Sequence, residues 1–402
     1  MKPRFLFLVL TISFSISVSA QGPWTQKASM PGNARHRIFT FTIGSRGYMG
    51  CGWNGVTMYQ DFWEYDPGTD TWLQKANYPA GPRLSAFGFA INGKGYAGCG
   101  LDQGLYVHND FYEYNPVTNQ WTAKAPWIGT PIFGGASAVV NNIGYVICGD
   151  DWDLGYYRHR EMYAYHPTTN SWNYVTDFPA DGRRDPCALA INNKIYVGTG
   201  SDNNYFECND WWEYNPANNQ WTAKANFGGS ARSQAVGFAV AGKGYLGTGG
   251  QADVQDFFQY DATTNTWLEV NEFPGQGREN SSVFVMGNKA YLVCGTSGTN
   301  YRDLWEFDPL HIVGLNQIEQ ISISGNVFPN PAYNVVCLEL IGTNIESKKE
   351  FSLFTIEGKC ISSEKFLGNK LNFSVNGFAA GTYLYEVKLK NDQILRGKFI
   401  VL

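Results

Sequence analysis

Five arginines hold one repeated place in this sequence. Arg35, Arg83, Arg183, Arg232 and Arg278 each stand thirteen residues before a tyrosine that opens a short apolar run ending in glycine, while Ile132 takes the equivalent place before Tyr145. A guanidinium is planar, permanently charged and presents its donors in a fork that matches a carboxylate or phosphate. Five at one repeat position are expected to form an incomplete ring at a channel entrance, suited to an anionic sugar or an acidic peptide. The alternative is that each only binds loop carbonyls of its own repeat. The gap at Ile132 falls beside the richest aromatic loops. Trp127 and Phe133 flank it, and the stretch 150–160 carries Trp152, Tyr156, Tyr157, Arg158 and His159; Tyr106 and His108 lie in the preceding repeat. Aromatic faces with Asp and Arg neighbours suit sugar stacking or a peptide anchor. The candidate ligand-binding residues are therefore the five arginines with Trp127, Trp152, Tyr156, Tyr157 and His159.

Other chemistry is weaker. Glu64, Glu113, Glu213 and Glu306 are the residue type of a carboxylate pair, but they recur once per repeat, with Ala164 and Gln259 in the remaining two. Such recurrence belongs to a building element. His36, His108 and His159 lack the spacing of a compact metal site, and no C-x-x-C pair exists. No metal or other cofactor is expected. Cys51, Cys99, Cys148 and Cys294 share a position with Thr199 and Thr248, which suggests a small buried residue. Cys187 with Cys208, and Cys337 with Cys360, could form disulfides; sequence cannot supply the geometry that would decide.

The elements that must position these residues form a repeat. Tyr48, Tyr96, Tyr145, Tyr196, Tyr245 and Tyr291 recur at spacings of 48, 49, 51, 49 and 46 residues. A second marker follows each: Asp61-Phe-Trp-Glu-Tyr-Asp-Pro, Asp110-Phe-Tyr-Glu-Tyr-Asn-Pro, Glu161-Met-Tyr-Ala-Tyr-His-Pro, Asp210-Trp-Trp-Glu-Tyr-Asn-Pro, Asp256-Phe-Phe-Gln-Tyr-Asp-Ala and Asp303-Leu-Trp-Glu-Phe-Asp-Pro. A third is Trp72, Trp121, Trp172, Trp221 and Trp267, seven residues after the Tyr of the second. The triple pattern resembles the kelch repeat, whose period is ~50 residues. The resemblance implies an all-β fold, a six-bladed β-propeller over residues 21–310. The sixth repeat lacks its Trp, and Trp24-Thr-Gln-Lys-Ala matches the missing piece. Residues 23–29 are thus expected to complete the last blade and close the ring. Copper-radical oxidases share the kelch propeller, but their ligand set has no visible counterpart here.

Lys2 and Arg4 precede an apolar run to Val18, and Val18-Ser19-Ala20 ends it. This is the pattern of a secretory signal peptide over residues 1–20, cut near Ala20, and no other stretch reaches membrane-spanning length. Removing two cations takes the formal charge from −5 to −7. With no basic run, nucleic-acid binding is not expected. Charged residues are 16% of the chain and aromatics also 16%, against about 25% charged on average; aromatic strands joined by tight glycine turns fit that balance.

A linker over 311–323 leads to a different, strand-rich segment at 324–402. Phe328-Pro329-Asn330-Pro331 opens it, a glycine turn at Gly358 follows, and Gly381-Thr-Tyr383 precedes the penultimate strand. This resembles the type A sorting domain of type IX secretion, a small Ig-like β-sandwich of exported Bacteroidota proteins, although the usual final basic residue is replaced by Leu402. The resemblance implies export through the periplasm and the outer membrane, the secretion machinery as a partner, and an extracellular or surface location. The function expected first is a non-enzymatic binding propeller for a glycan or extracellular protein. A second reading follows from resemblance to kelch N-acetylneuraminate epimerases, sugar mutarotases that hold a carboxylate with Arg; no acid–base pair is identifiable. A third is a structural adhesion component.

Overall fold

The computed structural model describes residues 22–151, 157–250, 254–311, 324–341, 349–356, 358–388 and 394–402. The chain divides into two compact units, Met1–Gly314 and Leu315–Leu402. The first holds six four-stranded antiparallel sheets, the blades. Blade one is typical: Phe39–Ile43, Arg46–Gly50, Phe62–Asp66 and Thr71–Lys75, paired in that order. Blades two to five begin at Phe87, Ala136, Cys187 and Val236. Blade three departs from the pattern. Its middle strands, Ile143–Asp151 and Tyr157–His166, are nine and ten residues long where other blades use four or five.

Blade six takes Ser282–Met286, Lys289–Val293 and Leu304–Phe307 from one end of the repeat and Trp24–Lys27 from the other. Trp24 stands opposite Phe307 and Lys27 opposite Leu304, and Asp308 N donates to Pro23 O at 2.7 Å. Trp24 is buried, with its ring 4.9 to 5.2 Å from Phe307, Phe257 and Phe273. The N-terminal segment therefore supplies both a strand and a core aromatic of the last blade.

Neighbouring blades interlock through side chains at repeat positions. The ring of Phe62 meets Tyr114 of the next blade at 4.8 Å, and Phe111 meets Tyr165 at 4.7 Å, both edge to face. Close approach needs glycine at one point. A Cβ on Gly95 would come within 2.2 Å of the Phe41 ring, and one on Gly144 within 2.5 Å of Phe89. Four of the outer-strand Trp also tie back to the preceding blade. Trp72 Nε1 donates to Ala28 O, Trp121 to Ala76 O, Trp172 to Ala125 O and Trp267 to Ala225 O. All eight cysteines are free thiols; neither disulfide left open by the sequence is formed. Cys51, Cys99, Cys148 and Cys294 are buried at a left-handed turn shared with Thr199 and Thr248.

The second unit has a three-stranded sheet (Ser324–Phe328, Val335–Ile341, Lys370–Ser374) and a four-stranded one (Cys360–Phe366, Lys349–Thr355, Gly381–Lys388, Ile394–Val401). One core joins them, with Val336 and Leu338 from the first and Phe351, Tyr385 and Phe399 from the second.

Ring closure through a buried aromatic makes a quantitative expectation. Trp24→Ala removes a core ring at the seam and should cost about 3–5 kcal/mol, read by urea unfolding of the mature chain. Loss of residues 21–30 should lower the melting temperature of the whole propeller. An unchanged midpoint in either variant would refute closure by this strand.

Candidate functional site

The arginine series does not form an open ring. Arg35, Arg83, Arg183, Arg232 and Arg278 are 0 to 4% exposed. Each is paired with the aspartate that opens the second sequence marker: Asp61, Asp110, Asp210, Asp256 and Asp303 respectively. Further donors of each go to carbonyls, as in Arg35 Nη1 to Cys51 O (3.1 Å) and Arg278 Nη1 to Cys294 O (3.0 Å). The guanidinium planes lie over aromatic rings, Arg35 on Tyr59 at 3.9 Å and Arg278 on Tyr301 at 4.1 Å. The Ile132 exception is explained by its partner: blade three has Glu161 where the others have Asp, so both members of the pair are replaced together. These side chains fasten the second-to-third strand loop of five blades to its own base.

Trp127 is likewise not presented to a ligand. It is buried among Phe87, Tyr163 and Trp172, and its Nε1 donates to Thr130 O at 2.8 Å. Trp152 and Tyr156 lie outside the described residues. Tyr157 is exposed beside His159, whose ring nitrogens face Asp151 (3.1 Å) and Glu161 (3.3 Å).

The convergent residues stand one and two places beyond the arginines. At Arg37, Ser85, Gly134, Asp185, Gln234 and Asn280 the backbone turns through the left-handed region. Each N–H donates to the carbonyl of its counterpart in the preceding blade, Asn280 serving Arg37, and the six bonds of 2.8 to 3.2 Å close a circle. Arg37 extends from blade one across the circle to Asp185 in the opposite blade (3.4 Å), touching Ser85 Oγ at 3.2 Å. Gly134 makes room for that contact, since a Cβ there would come within 2.6 Å of Asp185 Oδ1. A cavity of about 170 Å³ is lined by the circle and the residues that follow it.

Above the circle, one residue earlier, stand His36, Leu84, Phe133, Arg184, Ser233 and Glu279. Short bridges extend the blades here: His36 pairs with Trp53, Leu84 with Leu101, Phe133 with Asp150, Arg184 with Ser201 and Glu279 with Thr296, and Trp53, Leu101, Ser201 and Thr296 pair onward with Met58, Val107, Glu207 and Asn300. Asp150 in turn faces Arg158 in the long hairpin of blade three. The mouth is therefore divided. Met58, Leu84, Leu101 and Phe133 pack together on the side of blades one to three, with Trp53 and Val107 against them. Blades three to six present a chain of alternating charge. Arg158 approaches Asp150 (3.6 Å), Arg184 approaches Asp150 (3.8 Å) and Asp185 (3.3 Å), and Asp185 meets Arg37. Gln234 links Arg37 to Glu279, accepting from Arg37 Nη2 at 3.1 Å and donating to Glu279 at 2.7 Å in the amide orientation that satisfies both. Glu207 accepts from Ser233 Oγ at 2.9 Å.

Burial sets the protonation of this mouth. It pushes the Asp150 carboxyl up despite Arg184 and Arg158, and raises Glu207 and Glu279 as well. His36 is held down at about 4, by burial first and then by Arg37. Asp150 Oδ1, Arg158 Nε and Nη1 and His36 Nδ1 are buried without a hydrogen-bond partner among the described residues. Perturbed carboxyls and unpartnered polar atoms gathered at this mouth make it the candidate site. Around it, Tyr106, Tyr157, Tyr205 and Phe206 are 53 to 69% exposed. The loops of blades two and four that carry three of them fold alike, Asp102 and Asp202 each accepting from backbone N–H groups two and four residues on. Arg158 lies over the Tyr205 ring at 4.3 Å.

The repeated glutamates are blade parts. Glu64, Glu113, Glu213 and Glu306 accept from Tyr48, Tyr96, Tyr196 and Tyr291 hydroxyls and pair with lysines. The positions that build the mouth carried a different signal in the sequence: they vary from repeat to repeat, while the residue just before them is Arg in five of six.

Residues 134–343, just over half of the chain, match the family model described as the KLHDC2/KLHL20/DRC7 Kelch-repeats domain. The chain is a kelch-repeat protein. Blades one and two lie before the matched range and have the same strand order as blades three to five. Residues 326–402 match the Secretion system C-terminal sorting domain, so this kelch protein is one sorted for secretion to the cell surface or outside. Among solved structures it is similar to one described as "Structure of YjhT", at 18% identity and a TM-score of 0.59, over 69% of this chain and 95% of the other; that likeness concerns the fold. A search of curated proteins found no match.

Two outcomes test the site's energetics. Arg232→Ala strands Asp256 and should cost about 3–5 kcal/mol in urea unfolding, whereas Arg46→Ala, which breaks the more exposed pair with Asp66, should cost under about 1 kcal/mol. His36 is neutral in the fold and takes a proton readily only when unfolded. The stability it contributes is present above pH ~6.5 and is lost as pH falls towards 4, with a slope of up to about 1.4 kcal/mol per pH unit. His36→Phe should flatten the melting-temperature profile over that window; an identical profile would contradict a buried neutral imidazole.

Proposed function

We propose that this secreted kelch propeller binds a glycan at its divided mouth, with blades three to six supplying the polar contacts and the exposed rings of Tyr106, Tyr157, Tyr205 and Phe206 the stacking surface. The observation that carries the reading is the juxtaposition of alternating Arg and carboxyl groups with that aromatic rim. A sugar ring offers hydroxyls along its edge and C–H groups on its face, and such a surface meets both. The five buried arginines would hold the loops in place, and ligand contact would pass to Arg37, Arg158, Arg184, Glu207 and Glu279. In the maturation that goes with this reading, residues 1–20 are removed near Ala20, the propeller spans 21–310, and 311–323 link it to the sorting unit at 324–402.

A second reading, sugar mutarotation, is favoured by one observation: the raised carboxyls of Asp150, Glu207 and Glu279 stand within a single mouth. Opening and closing a sugar ring needs an acid and a base that exchange a proton near neutral pH.

Array screening of the mature protein, then calorimetry on the best glycan, separates the outcomes. Arg184→Ala and Glu279→Gln should each weaken binding about tenfold or more, and Tyr205→Ala by a comparable amount, as interface anchors do, with melting temperatures close to the parent. A glycan whose affinity ignores all three substitutions would sink the proposed site. Accelerated anomer exchange by NMR, lost in Glu207→Gln or Glu279→Gln, would establish the second reading.

A further inference from the structure

The sequence singled out Phe328-Pro329-Asn330-Pro331, and nothing in the propeller uses it. Its structural partner is the strand Ile394–Val401, an edge of the four-stranded sheet. Edge strands present unpaired N–H and C=O groups. Here the end of that edge is sealed from the side. Asn330 Oδ1 accepts from Ile400 N at 2.9 Å, Ala332 N donates to Ile400 O at 2.8 Å, and Leu402 N donates to Ala332 O at 3.1 Å. Ala332 and Val401 form a parallel bridge and are both buried. Side chains alternate along extended chain, so their neighbours Tyr333, Ile400 and Leu402 must point outward. They do, at 68, 43 and 56% exposure.

This corner continues into a groove. Ile400 lies opposite Thr382, Lys398 opposite Leu384, and Leu384 opposite Phe354. Phe354, Leu384 and Lys398 line a depression of about 390 Å³ that the Glu386–Arg396 pair (2.9 Å) also borders. We propose that this face, groove and corner together, is the surface by which the secretion machinery grips the protein, and that Asn330 is the positioning residue that presents it. The match to a secretion sorting domain identifies the partner. The chemistry of the face describes what the partner must offer: an extended apolar segment whose alternate side chains fill the groove at Phe354 and Leu384 and cover Ile400. Asn330 acts through the backbone of Ile400 and need not touch the partner. The assignment rests on the sorting domain and is independent of what the propeller binds.

The test uses the full chain in a bacterium with a type IX system, partitioned between periplasm and exterior by immunoblot. Leu384→Ser/Ile400→Ser should cut export by about tenfold or more, the loss expected for interface anchors. Leu367→Ser, at a more exposed apolar residue elsewhere on the unit, should export normally. Asn330→Ala should behave like the double variant, and Asn330→Asp, which keeps an acceptor oxygen, should recover most export. Normal export of the double variant, or an equal loss with Leu367→Ser, overturns the face. Recovery absent in Asn330→Asp while the purified protein melts as the parent overturns the role of Asn330. A photo-crosslinker at Lys398 provides a readout that no folding defect can mimic. It should capture a type IX component identified by mass spectrometry, while one at Lys365 on the opposite edge strand should not; the reverse pattern also overturns the assignment.

Discussion

Six backbone hydrogen bonds form a closed circle around the propeller axis, and the mouth is arranged upon it. Each bond runs from one blade to the next, so no blade can tilt or slide without breaking two. The circle needs a left-handed residue at every station, yet only Gly134 is a glycine. For an L-residue that conformation costs on the order of 1–2 kcal/mol, a cost offset by the bond each station makes and by the buried Arg–Asp pair two residues before it in five blades. At this turn the residue just before each station stands at the mouth.

A division of labour within each repeat follows. Tyr, Glu, Trp, the cysteine or threonine at the second-strand turn, and the Arg–Asp pair recur because every blade must meet two neighbours in the same way. Building the blade consumes most of their polar groups, hydroxyl on carboxylate and guanidinium on aspartate within it, indole on carbonyl towards its neighbour. The positions between Arg and the first strand have no such duty. There, six blades display His36–Arg37, Leu84–Ser85, Phe133–Gly134, Arg184–Asp185, Ser233–Gln234 and Glu279–Asn280, and the asymmetry of the mouth comes from these pairs. Arg37 and Asp185, from opposite blades, meet across the centre only because blade three contributes no side chain at Gly134.

The second unit uses a similar economy of backbone bonds. Asn330 and Ala332 seal the end of an exposed strand, which both protects it from indiscriminate pairing and fixes which of its side chains face outward. An apolar corner held in register by a tight turn is suited to being read by another protein, where the same residues on a loose strand would not be.

Much of this protein was legible in its sequence. Three markers in phase over six periods determined the propeller. The misplaced Trp24-Thr-Gln-Lys-Ala determined how it closes, because a repeat array allows few ways to complete a blade. The sorting domain, matched over 326–402, was legible through its motif order. What the sequence alone did not decide was which repeated or loop residues are free. Arg35 and its four counterparts have the chemistry of a ligand ring, but their partners Asp61, Asp110, Asp210, Asp256 and Asp303 lie 24 to 27 residues away, and only the packed loop brings each pair together. Trp127 has the chemistry of a stacking platform and is spent in the core. The mouth itself draws single residues from six blades, from Arg37 to Glu279, and their convergence depends on a circle of main-chain bonds that leaves no mark on residue type. Repetition could be read along the chain; convergence required the ring to close.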